Sequence, residues 1–141
     1  MARVKLDQET LGLSSLMERI TGARVKDCFR DDADETIYFI VEIGQLGKAV
    51  GKGGVNIKRV QREFNKKIKV IEFRSNVASF IKNIIYPLKV EEILQEDNII
   101  FIKESSKKTK SLLIGREGKN LKLINRAVKR FFDVNEVKVI K

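Results

Sequence analysis

Apolar positions recur along this chain with two alternating periods, and the switches between them mark out its elements. From Asp7 to Ile20, Leu13, Leu16, Met17 and Ile20 stand at helical spacing, and Gly22 follows as a natural C-terminal cap. Arg24 to Arg30 is rich in strand formers, with Val25, Cys28 and Phe29. Asp31 to Glu35 reads as an acidic turn, and Thr36 to Ile43 as a β-branched and aromatic strand. A short helix is expected over Gln45 to Val50. After Gly51–Gly54, Ile57, Val60 and Phe64 give a second helix one apolar face, and Lys67 to Phe73 reads as another strand.

The same order then returns. Asn76 suits the cap of a helix carrying Val77, Phe80, Ile81, Ile84 and Ile85 on one face, and Pro87 ends it. Lys89 to Gln95 is expected as a strand, Glu96 to Asn98 as a turn and Ile99 to Ile102 as a buried strand. Lys108 to Ile114 is the short helix. Leu121, Ile124 and Val128 face a core from the next helix, and Val134 to Ile140 contains the last strand. The pattern predicts an α+β protein of two copies of one unit, residues 1–74 and 75–141. Each unit is expected to carry a three-stranded mixed sheet covered on one face by helices. Units of about 60 to 70 residues fold alone with modest stability.

One local motif recurs within these copies. Gly51-Lys52-Gly53-Gly54-Val55-Asn56-Ile57-Lys58 is matched 64 residues later by Gly115-Arg116-Glu117-Gly118-Lys119-Asn120-Leu121-Lys122. Each joins a short helix to a longer one through a glycine turn. Glycine permits positive φ and leaves bare backbone that a ligand can approach. The first turn of the following helix presents unpaired N–H groups, which suit a phosphate.

Charge sharpens that picture. The 141-residue chain has a net charge of +10. Residues 46–69 hold eight Lys/Arg and one acid, and residues 107–130 hold nine and one. Those windows carry +7 and +8, so the rest of the protein is net acidic at −5. Solvated lysines have no reason to sort in this way, whereas a polyanion passing both turns explains it.

Other chemistries fit poorly. The absence of His removes His-based acid–base catalysis and the commonest metal ligand, and one cysteine, Cys28, allows neither an internal disulfide nor a thiolate metal site. Cys28 is expected in the core. No enzyme activity, metal or cofactor is expected. A phosphate-binding P-loop needs four residues between its first Gly and the Gly-Lys pair, but Gly47 to Gly51 leaves three. It also follows a strand, as does the dinucleotide fingerprint, and here the preceding element is a helix. Met1 to Leu13 holds no apolar run of signal-peptide length and no stretch approaches a membrane span, so a cytoplasmic protein without membrane attachment is expected.

A helix, Gly-x-x-Gly and helix flanked by strands resembles the KH domain, whose loop clamps about four nucleotides by their backbone. The element order resembles the type II variant. Phe73-Arg74-Ser75-Asn76 through Phe80-Ile81-Lys82-Asn83 and Pro87-Leu88-Lys89-Val90 is similar to the connector between the tandem KH domains of NusA transcription factors. Gly115 to Leu123 is similar to that family's second loop, and Thr21 to Cys28 to the opening of its short archaeal form. Bacterial members also carry an N-terminal polymerase-binding domain and an S1 domain, to which nothing in this chain corresponds.

The resemblance implies a monomeric protein with two tandem type II KH domains. It would bind single-stranded RNA in transcription termination or antitermination, with RNA polymerase as a possible partner. A ribosome- or translation-associated KH protein is the alternative, since a type II KH domain also occurs in a small-subunit ribosomal protein. Gly51, Gly53, Gly54, Gly115 and Gly118 are expected to bring backbone close to RNA, and Lys52 and Arg116 to contact phosphate. Lys58, Arg59, Lys119 and Lys122 are expected to steer the nucleic-acid backbone, while Glu117 places an acid in the second loop. Asn56 and Asn120 suit either a base contact or support of the helix start. Val50, Ile57, Ile114 and Leu121 suit either a groove floor or the core. No aromatic lies within about six residues of either turn, so stacking platforms of the kind used by other single-strand binders are not evident.

Overall fold

The computed structural model describes residues 8–31 and 34–141. Asp7, at the start of the expected first helix, and Asp32 and Ala33, in the expected acidic turn, lie outside the described residues. The chain divides into two compact units with the boundary between Arg74 and Ser75.

The first unit contains α1 (Gln8–Thr21), β1 (Val25–Asp31), β2 (Thr36–Val41), α2 (Leu46–Val50), α3 (Val55–Phe64) and β3 (Lys67–Glu72). The sheet order is β1-β2-β3, with β1 antiparallel and β3 parallel to β2. Met17 of α1, Ala49 of α2 and Val60 of α3 are buried in one cluster with Cys28, Ile37, Phe39, Val41 and Ile68 of the sheet. Phe64 stacks on Phe39 with ring centroids 6.0 Å apart. Cys28 is therefore a small core side chain. All six residues of β2 are buried, which accounts for its continuous apolar run in place of strict alternation.

Two boundaries differ from the sequence reading for physical reasons. The strand expected to reach Ile43 stops at Val41, since Ile43 is exposed and Gly44 turns the chain at φ 84°. The Gly44 N–H donates to Glu72 Oε2 at 2.6 Å, tying the approach to α2 onto the end of β3. The helix expected from Gln45 begins at Leu46; Gln45 stands at its N-cap without a side-chain capping bond, because its Oε1 accepts from the Arg24 N–H at 3.0 Å.

The second unit contains α4 (Val77–Ile85), β4 (Glu92–Glu96), β5 (Ile99–Lys103), α5 (Lys107–Ile114), α6 (Lys119–Phe131) and β6 (Glu136–Ile140). The sheet order β4-β5-β6 repeats the antiparallel-then-parallel pattern. Asn76 caps α4 by accepting from the Ser79 N–H at 3.0 Å. Phe80, Ile81 and Ile84 are buried with Ile100, Ile102, Leu113, Ile124, Val128 and Val137. Phe80 lies edge-on to Phe131, with centroids 5.9 Å apart.

The strand expected from Lys89 begins only at Glu92, because the preceding residues are held by two carboxylates instead. The buried Glu104 accepts from the Glu91 N–H at 3.1 Å and the Ser106 N–H at 3.0 Å. Glu91 in turn accepts from both the backbone N–H and the hydroxyl of Ser105. Ser106 then caps α5 by accepting from the Thr109 N–H. This cross-link fixes where α5 starts, and hence where the second glycine turn falls.

Candidate nucleic-acid interface

The two glycine turns have the same backbone conformation. Gly51 has φ 76° and ψ 167°, and Gly115 has φ 76° and ψ 173°. Each ends its short helix by donating four residues back, Gly51 to the Gly47 carbonyl and Gly115 to the Ser111 carbonyl, both at 2.8 Å. A single 3₁₀ turn follows in each case, Lys52–Gly54 and Arg116–Gly118. Its third residue donates back to the first glycine: Gly54 to the Gly51 carbonyl at 3.0 Å, and Gly118 to the Gly115 carbonyl at 3.1 Å. Gly54 (φ 77°, ψ 16°) and Gly118 (φ 75°, ψ 14°) are left-handed where the long helices start.

At Gly51 and Gly115 the requirement for glycine comes from within the protein. A Cβ at Gly51 would lie 2.8 Å from Asn56 Cγ and 2.9 Å from the Asn56 backbone nitrogen. At Gly115 it would lie 2.8 Å from Asn120 Cγ. Asn56 Nδ2 crosses the turn to donate to the Lys48 carbonyl at 2.7 Å, and Asn120 Nδ2 to the Leu112 carbonyl at 2.8 Å. Of the two roles open to these asparagines, the structure shows support of the turn. They lock the short helix against the long one.

The turn's tip is open. Among the described residues nothing lies within 4 Å of a Cβ built at Gly53, whose φ is 65°, and the corresponding Glu117 holds φ 58° with its side chain exposed. Lys52 and Arg116 are exposed beside it. Lys58 and Lys122, one turn into α3 and α6, lean back toward the tip. A Cβ on Gly54 would be 3.8 Å from Lys58 Cε, and one on Gly118 would be 3.9 Å from Lys122 Cε. Each turn thus sets two cations beside glycine backbone, with the Glu117 carboxylate added at the tip of the second, an arrangement suited to an extended phosphate chain.

The remaining expected residues divide. Arg59 is exposed on α3, further along the helix. Lys119 is half-buried and already has an interaction partner. Lys69, within the first basic window, is half-buried in β3, where burial pushes its ammonium pKa down. Val50, Ile57, Ile114 and Leu121 are all half-buried. Ile57 packs against the first unit's core, while Leu121 lines an open groove.

That groove, of about 530 Å³, runs from Gly118 along α6 to the start of β6. Its walls include Lys122, Asn125, Arg126 and Lys129, with Asn135 and Glu136 at the far end. Asn125, Arg126 and Lys129 were not among the expected site residues. Their signal was present in the sequence, since they continue the helical face of Lys122 at steps of three and four. In the first unit, a cleft of about 540 Å³ lies at the far end of α3, beside Gln61, Asn65, Lys66 and Lys67. Lys66 pairs there with Glu35 at 3.5 Å.

A mixed sheet backed by helices, with a glycine turn between two of them, defines a KH-domain protein, and the KH-domain family model matches residues 13–92. The chain belongs to that family and, within it, to the group of archaeal proteins named NusA. A probable transcription termination protein NusA of Methanococcus vannielii is 37% identical over 98% of this chain and 80% of its own length. A protein of the same name from Methanocaldococcus jannaschii is 33% identical over 99% of this chain and 77% of its own. The crystal structure of APE1850 is similar at a TM-score of 0.77, with 29% identity, over 96% of this chain and 100% of that one. Among the described residues no helix is long and apolar enough to cross a membrane.

Proposed function

We propose that this chain binds single-stranded RNA as two tandem type II KH domains and acts in transcription termination, as its relatives' names describe. The observation that carries this reading is the congruence of the two turns. Gly51 and Gly115 agree to within a few degrees, and each turn is flanked by an exposed cation at its tip and a lysine leaning toward it. Two copies of one glycine-dependent backbone shape, each inside a basic window, are what a repeated contact to a phosphate chain requires.

In this reading Lys52, Lys58, Arg116 and Lys122 neutralise phosphates, and Gly53 and Gly54, with Glu117 and Gly118, let the strand approach the backbone. Arg59 and Lys119 add to the surrounding field. RNA polymerase is the partner proposed from the relatives' role.

Fluorescence anisotropy with a labelled single-stranded RNA of about 12 nucleotides tests the reading directly. With about four to six phosphates neutralised, log K against log salt should fall with a slope of roughly −3 to −4. A slope near zero, or equal affinity for duplex RNA, would overturn it. Co-purification with polymerase rather than with ribosomal subunits separates a transcription role from a translational one.

A further inference from the structure

The second unit's groove contains a side chain that imitates a nucleobase. Among the described residues β6 is an edge strand, paired with β5 on one side only. The outer edge of such a strand offers backbone N–H and C=O groups to a newcomer. At Val137 both are taken by one carboxamide. The Val137 N–H donates to Asn125 Oδ1 at 2.8 Å, and Asn125 Nδ2 donates to the Val137 carbonyl at 3.0 Å. The same Nδ2 also donates to the Leu121 carbonyl of its own helix at 3.0 Å. Only one orientation of the amide satisfies all three bonds.

An adjacent donor and acceptor is also what the edge of a base presents, which is why Asn and Gln carboxamides pair with adenine. A base entering the groove past Gly118 and Leu121 would find the Val137 donor–acceptor pair already occupied. We infer that Asn125 is a resident competitor for the base-reading edge of β6, so that the second unit holds RNA by its backbone with little discrimination among bases.

The first unit differs at this point. Gln61 occupies the position corresponding to Asn125, 64 residues earlier, and it is exposed. Among the described residues its side chain makes no hydrogen bond. The N–H groups of Lys67 and Phe73 point inward, to Glu35 and Val41. By alternation those of Ile68 and Val70 point to the outer edge. Base selection would therefore reside in the first unit, and backbone grip in the second.

The inference rests on the RNA-binding reading, and its test keeps the two apart. The background is the full chain with its first loop silenced by Lys52→Asp and Gly53→Asp. The probes are the tetranucleotides A4, C4, G4 and U4. With Asn125 present, the four should bind with affinities within about twofold of one another. Asn125→Ala should free the Val137 pair and spread them by about fivefold or more. Asn125→Leu, which keeps the volume but cannot occupy the pair, should do the same and guards against a loss of folding in the alanine variant.

Amide NMR gives an independent readout. The Val137 N–H should be unmoved by saturating tetranucleotide in the parent and should shift in the Asn125 variants. Binding by parent and variants with the same ranking and spread would overturn the inference and leave RNA binding intact. A Val137 shift in the parent would also overturn it. Failure of the unmutated chain to bind any of the four would overturn the RNA-binding reading, and this inference with it.

Discussion

The carboxamide of Asn56 lies against the bare Cα of Gly51, so closely that a Cβ there would sit 2.8 Å from Asn56 Cγ. Gly51 is thereby fixed twice, by this contact and by a φ, ψ of 76°, 167° that side chains avoid. Gly51→Ala and Gly115→Ala should each lower stability by about 1–3 kcal/mol. Gly53→Asn should cost no more than about 1 kcal/mol, since asparagine tolerates left-handed backbone and the position is open. Urea unfolding of the three variants checks the order. Equal losses at positions 51 and 53 would show that the asparagine contact is not what constrains the first glycine.

The open tip makes a sharper separation possible. Lys52→Asp with Gly53→Asp should leave the melting curve within a few degrees of the parent, because Lys52 is exposed and Glu117 already holds the conformation required at position 53. Affinity for single-stranded RNA should nonetheless fall about tenfold or more, as two acids replace a phosphate-facing cation and a bare backbone. Anisotropy titrations at two salt concentrations check this. A folded variant with unchanged affinity would remove the first loop from the interface.

Much of this candidate site is legible in the amino-acid sequence. The two glycine motifs, their 64-residue offset and the clustering of charge around them are properties of the sequence. Cap residues were readable where the capping bond is local, as at Asn76 with Ser79. What escaped depends on partners far along the chain. Glu104 contacts Glu91, 13 residues away, and thereby delays β4, and Asn125 reaches Val137 across a loop whose length the pattern does not fix. Lys119 and Lys122 looked equivalent as basic residues beside one turn. Only packing shows that Lys119 is half-buried and engaged while Lys122 lines the groove.

The Glu91 carboxylate, held by Ser105 just ahead of α5, should give the protein an acid-sensitive element. The Ser105 hydroxyl, and then the Ser105 backbone N–H, hold the Glu91 carboxyl pKa below the ordinary range. A group with a lowered folded pKa stabilises fully above its unfolded value, and that stability is lost as pH falls through the folded value. The window is therefore the acid side of the ordinary glutamate pKa. Glu91→Gln retains an oxygen acceptor but cannot titrate. Its melting temperature should fall less than the parent's between about pH 6 and about pH 3, a range that spans the ordinary carboxylate pKa. Parallel curves for the two proteins would show that Glu91 does not contribute to acid lability.

Two loops on one chain also have a thermodynamic consequence. A single Gly-x-x-Gly loop engages about four nucleotides, so a tetranucleotide should bind weakly however well the loop fits. Once one loop holds a longer strand, the second meets it at an effective concentration set by the linkage instead of by bulk RNA. Few residues separate the units, with β3 ending at Glu72 and α4 beginning at Val77. A strand of about 12 nucleotides should then bind about 10²-fold tighter than a tetranucleotide. Lys52→Asp with Gly53→Asp, or Arg116→Asp alone, should each remove most of that advantage. Neither should change tetranucleotide binding at the intact loop by more than about twofold, because separate sites lose affinity independently. Combining the substitutions should abolish binding of both lengths. Titrating all four proteins with both RNAs completes the comparison. If either single-loop variant keeps the parent's affinity for the longer strand, the two loops do not act on one RNA, and the second basic window needs a different partner.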